Sequence, residues 1–333
     1  MDNTAFILTL AYPDTVVRIS DEKYVSYLRY IGVGKKNYVR AGHAALVLIE
    51  KDTGQVEYFD FGRYTTPRGY GRVRGKTTDF ELDFPLQAEI KNGTINNIEN
   101  IFKFLATNPK LTHGEGKMVA SVCSEANYEK AKLFITDLQQ QGLISYAAFS
   151  KKASNCSRFV TDALIASVTK ESIKKRLRNS YRFTPSTVGN VVKANTEDYV
   201  FEISVKGNIS KFSSSPSKEN LRCFLDRLNK YNPTDIGNLK PKLIDGVNGK
   251  AQWLEGIGAG AWFELDVTSS KDLYQFKRIS PYGNIDVHGI FKVNNNTFNY
   301  EESYQFVHYS NCAFYHIEQN NTIYRFDLIE EIN

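Results

Sequence analysis

Two apolar runs joined by a short turn place the tightest constraint on how this chain folds. His43–Glu50 reads His-Ala-Ala-Leu-Val-Leu-Ile-Glu, Lys51-Asp52-Thr53-Gly54 carries the turn chemistry, and Gln55–Phe61 follows as a second strand. Residues of these types on either side of a Gly-containing turn predict an antiparallel hairpin. With the turn centred near Asp52-Thr53, His43 falls opposite Gly62 or Arg63, and Glu57 opposite Leu48 or Ile49.

Elsewhere the organisation is uneven. Phe6–Leu10 reads as a first strand ending at Tyr12-Pro13-Asp14, and Tyr24–Ile31 is amphipathic without a clear period. A Gly32/Gly34 loop precedes the hairpin; a Gly- and Arg-rich loop, residues 63–76, follows it, and a short strand is expected near Asp79–Phe84. Three helices come next: one marked by Ile98, Ile101, Phe102 and Leu105 behind Asn96 or Asn97, one by Ala131, Phe134, Ile135 and Leu138 before Gly142, and one starting at Asn155. Residues 206–218 turn to Ser, Asn and Lys, as an interdomain linker would. Beyond them, one helix (Leu221, Phe224, Leu225, Leu228) leads into strand-like runs separated by turns such as Asn294-Asn295-Asn296. The chain is therefore expected to be α+β. Residues 1–205 pack an antiparallel hairpin on helices, and residues 219–333 form a mostly antiparallel β domain, a small barrel or sandwich. A length of 333 residues suits two domains.

Composition removes several function classes. A net charge of +5 from 42 basic and 37 acidic residues gives no ground for a nucleic-acid partner. Four cysteines in so long a chain do not make a disulfide framework. No segment approaches the ~20 apolar residues of a membrane span. The N-terminus lacks the basic region of an export signal, so a cytoplasmic location is expected, although a mature secreted protein would read the same way.

Two residues carry the chemical reading. Cys156 opens a helix in Ser154-Asn155-Cys156-Ser157-Arg158-Phe159, where the helix dipole favours a thiolate and unpaired N–H groups suit an oxyanion. His43 opens the first hairpin strand, at the rim of a core, where an imidazole reaches solvent and a nucleophile together. Gly-His-Ala opening a hairpin, and Asn-Cys-x-x-Phe later opening a helix, resemble the circularly permuted members of the NlpC-type papain-like superfamily, in which the His precedes the Cys. The stretch from Gly54 to Tyr64 is similar to an uncharacterised bacterial branch of that group, and the likeness spans about residues 40–167. It implies a papain-like N-terminal domain, Cys156 as nucleophile and His43 as base, and amide hydrolysis or acyl transfer through a thioester on small or cell-wall-derived peptides. No cofactor or metal is implied.

Family members usually carry a third polar group that orients the imidazole. Glu57 lies five or six residues along the strand from His43, roughly 16–20 Å at ~3.3 Å per residue, which is too far. Asp60 is two or three positions away and is the candidate, with a backbone carbonyl or no third member as the alternative. In the loop after the hairpin, Arg63, Tyr64 and Arg72 are the candidate substrate-binding residues, among neighbours Arg68, Tyr70 and Arg74; a solvated basic loop is the competing reading. His308, Cys312 and His316 have helical spacing in a strand-rich region, Gly256, Gly258 and Gly260 precede a strand rather than the helix of a dinucleotide loop, and His113 has no visible partner, so all three read as structural. The function expected is a cysteine hydrolase; the alternative is a binding or scaffold protein that kept the fold.

Overall fold

The computed structural model describes residues 2–22, 25–231, 241 and 244–332. Its first part is built on an eight-stranded, wholly antiparallel sheet. β1 (Ala5–Tyr12) lies beside β4 (His43–Glu50), which pairs with β5 (Val56–Gly62), which in turn pairs with β6 (Tyr70–Arg74). Two short strands, β2 (Val16–Arg18) and β3 (Tyr38–Arg40), form a separate ribbon beside it. On the other side of β1 come Met118–Ala126, then Phe201–Ile203 and Ile209–Lys211.

β1 and β4 are apolar along nearly their whole length because both faces of the sheet are covered. On one face Phe6, Leu8, Leu10, Val47 and Tyr58 pack with Ile101, Phe102 and Leu105 of helix Ile98–Thr107. On the other, Ile7, Leu46, Leu48 and Phe61 pack with helices Tyr128–Gln141 and Cys156–Ser167. Each helix starts where its cap dictates: the Asn127 side chain accepts from the Lys130 N–H, and Asn155 from that of Arg158.

The second part is a seven-stranded antiparallel sheet running from Gln252–Leu254 to Gln305–Val307 in spatial order. The Gln252 side chain joins its edges, accepting from the Phe306 N–H at 2.9 Å and donating to the Tyr304 carbonyl at 3.1 Å. The sheet is thus a near-barrel, filled by rings such as Phe263, Phe276, Phe291, Tyr315 and Phe326.

Several expectations need correction. Residues 63–76 are not all loop: Tyr70–Arg74 is a strand, because Arg72 and Arg74 both turn inward to buried carboxylates. Near Asp79 there is a single 3-10 turn, Phe80–Leu82, in place of a strand. Of Tyr24–Ile31, Val25–Ile31 is a 3-10 helix and Tyr24 lies outside the described residues. Residues 206–218 include strand Ile209–Lys211 and the start of helix Pro216–Phe224. That helix docks on the first sheet's side: Cys223 Sγ reaches the Pro13 carbonyl at 3.2 Å and Arg222 pairs with Asp14 at 2.8 Å. It therefore belongs with the N-terminal part rather than leading the β domain.

A buried ionic cluster joins the two parts. Arg72 grips Asp79 with two 2.5 Å bonds, and Arg278 of the near-barrel reaches Asp79 at 3.1 Å, Asp286 at 3.3 Å and Glu81 at 3.6 Å. Burial pushes the Asp286 carboxyl up to about 7, against the pull of Arg278. Replacing Arg278 with Ala would strand Asp286 and leave Asp79 and Glu81 to Arg72 and Arg74 alone, and should cost about 3–5 kcal/mol at pH 8. Stranded carboxyls bind protons more tightly folded than unfolded, so that loss should shrink as pH falls. Urea unfolding of both proteins at pH 8 and pH 5.5 measures it; an equal loss at the two pH values would contradict this account.

Candidate active site

β4 and β5 pair with Ala45 opposite Asp60 and Leu48 opposite Glu57. Two residues back from Ala45, His43 shares its face, so the imidazole and the Asp60 carboxylate are diagonal neighbours. His43 Nε2 lies 3.2 Å from Asp60 Oδ2. Glu57, at the far end of the hairpin, is held elsewhere, by the Tyr128 hydroxyl and the Lys132 ammonium.

Asp60 is fully buried. Arg74 donates to both its oxygens, Nε to Oδ1 at 3.0 Å and Nη2 to Oδ2 at 2.7 Å. The Tyr64 hydroxyl donates to Oδ2 at 3.0 Å, and that of Tyr58 sits 3.1 Å from the same oxygen. Burial alone would raise the pKa of this carboxyl, but the charge of Arg74 and the bond to His43 drive it far below the usual carboxylate range. An aspartate fixed as an anion then acts on His43. Burial opposes the imidazolium, yet the bonds to Asp60 and Cys156 prevail and push its pKa up to about 9.

Cys156 is the first residue of its helix and partly exposed. Burial works against its thiolate, but a direct hydrogen bond with His43, the imidazolium charge, and bonds from the Ala44 N–H and the Ser157 side chain lower its pKa overall. The three groups thus form a chain from carboxylate to imidazole to thiol, in which Asp60 supports the charge on His43 and His43 lowers the pKa of Cys156. The other cysteines differ: burial raises the pKa of Cys123 to about 11 and moves Cys223 and Cys312 upward as well.

The loop before Cys156 is held from within. Glu22 accepts from the Ala148, Phe149 and Ser150 N–H groups, and the Arg158 guanidinium donates to the carbonyls of Phe149, Ser150 and Ala153. The helix therefore starts from a braced loop rather than a free one.

A cleft of about 530 Å³ opens onto His43 and Cys156. Tyr64, a substrate-binding candidate, lines it, with its hydroxyl spent on Asp60. Arg63 also lines it, but its guanidinium donates to the Arg18 and Ile19 carbonyls and lies 4.3 Å from the Tyr146 ring. Arg72 does not reach the cleft; it donates to the Tyr64 carbonyl and to Asp79, so its substrate-binding assignment is corrected to a structural one. Arg68 is exposed and pairs with Asp21.

Two residues were missed. Arg74 read as one more arginine in a basic loop, and only the strand that turns it inward shows its part in holding Asp60. His113 was set aside, yet it lines the cleft with its ring 5.0 Å from that of Tyr64. Burial and the Arg74 charge hold its pKa down to about 3, so it stands neutral beside the charged pair. The Gly256–Gly260 segment forms another wall: the Gly258 N–H donates to the Arg63 carbonyl, the Thr65 N–H donates to Ala259, and Ile257 and Gly258 face the cleft. The remaining set is dispersed, His308 bonding the Glu255 carbonyl, His316 that of Tyr309, and Cys312 Arg278.

Comparison with known proteins places this site in a family. Residues 7–173, half of the chain, match the Type VI secretion system effector TseH-like family, and the chain belongs to that family. Residues 251–329 match the DUF6695 C-terminal domain. Among solved structures, the Type VI secretion system effector TseH aligns with a TM-score of 0.45 and 19% identity, covering 63% of this chain and 98% of that one. No curated protein matches the chain.

The paired shifts predict how the thiols react. Iodoacetamide should label Cys156 ahead of the other three cysteines, with a pH midpoint below the ~8.5 of an ordinary thiol. His43→Ala should move that midpoint upward. Peptide mapping of the label across pH 5–10 reads both effects, and a midpoint indifferent to His43 would break the proposed coupling.

Proposed function

We propose that the chain is a cysteine hydrolase of the circularly permuted papain-like kind, cleaving an amide bond in a small or cell-wall-derived peptide. The observation that carries this reading is the chain of contacts from Asp60 through His43 to Cys156, opening on one cleft. Membership of the TseH-like effector family, which suggests a hydrolase effector, supports it.

In this reading the Cys156 thiolate attacks the scissile carbonyl carbon, and N–H groups of the first helical turn stabilise the oxyanion that forms. His43 gives its proton to the leaving nitrogen as the C–N bond breaks, which leaves an acyl thioester on Cys156 and a neutral imidazole. A water then attacks the thioester, His43 takes a proton from it, and the acid leaves as the thiolate is restored. Asp60 touches only His43 among the reacting groups and is a positioning residue. In a cytoplasm the substrates would be peptides already released from the wall; intact wall is the other destination for an effector.

Incubation of the protein with peptides released from peptidoglycan, followed by mass spectrometry, tests this. Cleavage at an amide should appear with the native protein, vanish in Cys156→Ala, and fall about 100- to 10,000-fold in Asp60→Asn. In the native protein or in Asp60→Asn, a mass adduct on Cys156 should mark the thioester. Cleavage that survives Cys156→Ala would overturn the assignment of the nucleophile.

A further inference from the structure

One cation in the cleft wall, Arg18, has among the described residues only a shared carboxylate. Arg18 ends β2, opposite Tyr38 of β3, and both line the cleft with His43 and Cys156. Its side chain is only 9% exposed, its nearest carboxylate is Asp21 at 3.7 Å, and its Nε is buried without a hydrogen-bond partner. Asp21 is itself committed to Arg68, which donates to it three times at 2.7–3.1 Å. Arg63 and Arg68 lie close enough for their charges to act on Arg18. Among the described residues, the charges of Arg18, Arg63 and Arg68 all act on Asp21. The neighbouring Arg63 is occupied by backbone carbonyls and the Tyr146 ring. Glu115, the carboxylate in the cleft lining, accepts from the Val16 N–H at 3.2 Å.

A buried guanidinium N–H without an acceptor is costly to leave so. Its planar fork matches a carboxylate, which would accept two parallel bonds. We propose that Arg18 is an anion-binding subsite of the cleft and that the substrate is a peptide with a free carboxylate near its scissile amide. This rests on the reading of Cys156 as nucleophile, and adds to it what the neighbouring wall selects.

The test uses protection of Cys156 against iodoacetamide in the native full-length chain. The probes are N-acetyl-dialanine and N-acetyl-trialanine, each as the free acid and as the C-terminal amide. The better acid should half-protect Cys156 at a concentration about tenfold lower than its amide, the effect of one charge-assisted bond. Arg18→Gln should remove that preference, while Arg18→Lys, which keeps the charge and loses the fork, should keep part of it. Equal protection by acid and amide in the native protein, or none by any probe, overturns the subsite; so does a preference that survives Arg18→Gln. A Cys156 that shows no selective labelling without peptide would instead count against the nucleophile, so the two failures are told apart.

Discussion

The buried Asp60 carboxylate is the point on which the rest of the site depends. Taking such an anion out of water costs several kcal/mol unless excellent geometry offsets it. Here the offset comes from Arg74, which grips both oxygens, and from the hydroxyls of Tyr58 and Tyr64. Those groups sit on β5, β6 and the segment between them, so the charged carboxylate depends on that two-stranded unit being complete. Once charged, it holds His43 as an imidazolium, and the imidazolium lowers the pKa of Cys156. An ionisation at the sulfur is thus set by a guanidinium that never touches it. Tyr64 belongs to both sides of this arrangement. Burial and Asp60 drive its own pKa upward, which keeps it a hydrogen-bond donor, while its ring lines the cleft and lies under Arg74.

The same strand that carries Arg74 also fixes the near-barrel in place. Arg72, two residues away on β6, holds Asp79, and Asp79 accepts from Arg278 of the second sheet. Arg74 and Arg278 both reach Glu81, at 3.7 and 3.6 Å. The wall built by residues 256–260 follows from this joint. Gly256 approaches so closely that a Cβ there would meet the Ala259 carbonyl oxygen at 2.4 Å and the Thr65 nitrogen at 2.5 Å, so only glycine fits. Gly260 is likewise required by its contact with the Trp253 ring, which a Cβ would meet at 2.4 Å. The second domain is therefore part of the cleft, through Ile257, Gly258 and Tyr282.

What could be read from the sequence was whatever has a local cause. The hairpin register follows from turn length, and the starts of the helices at 128 and 156 follow from Asn127 and Asn155 as caps. Tertiary causes stayed hidden. Met118–Ala126 sits in the middle of the first sheet, yet its Ala, Ser and Cys residues carry little strand character; neighbours on both sides decide its conformation. Arg63, Arg68, Arg72 and Arg74 look alike in sequence. In the structure they bind backbone, solvent-facing Asp21, Asp79 and Asp60 respectively, a distinction set by where the fold places each one: Arg63 and Arg68 off the strand, Arg72 opposite Gly62 and Arg74 opposite Asp60. His113 was discounted for want of a partner within the local sequence, and its neighbour Tyr64 lies far away along the chain.

The turn at residues 51–54 shows how closely the His43–Asp60 contact depends on register. Gly54 has φ +69°, and a Cβ there would strike the Ala88 carbonyl oxygen at 2.3 Å, so the turn is pinned both by backbone conformation and by packing. Its N–H bonds the Glu50 carbonyl at 2.9 Å, and its carbonyl accepts from Ala88 at 2.8 Å. This fixed turn sets Ala45 opposite Asp60. Had the register slipped by one residue, every side chain of β5 would point to the opposite face. Phe59 or Phe61 would then stand beside His43, and Asp60 would face the helices, away from the imidazole. The identity of the third polar group is therefore decided at the far end of the hairpin from the chemistry, by one glycine that no other residue type could replace.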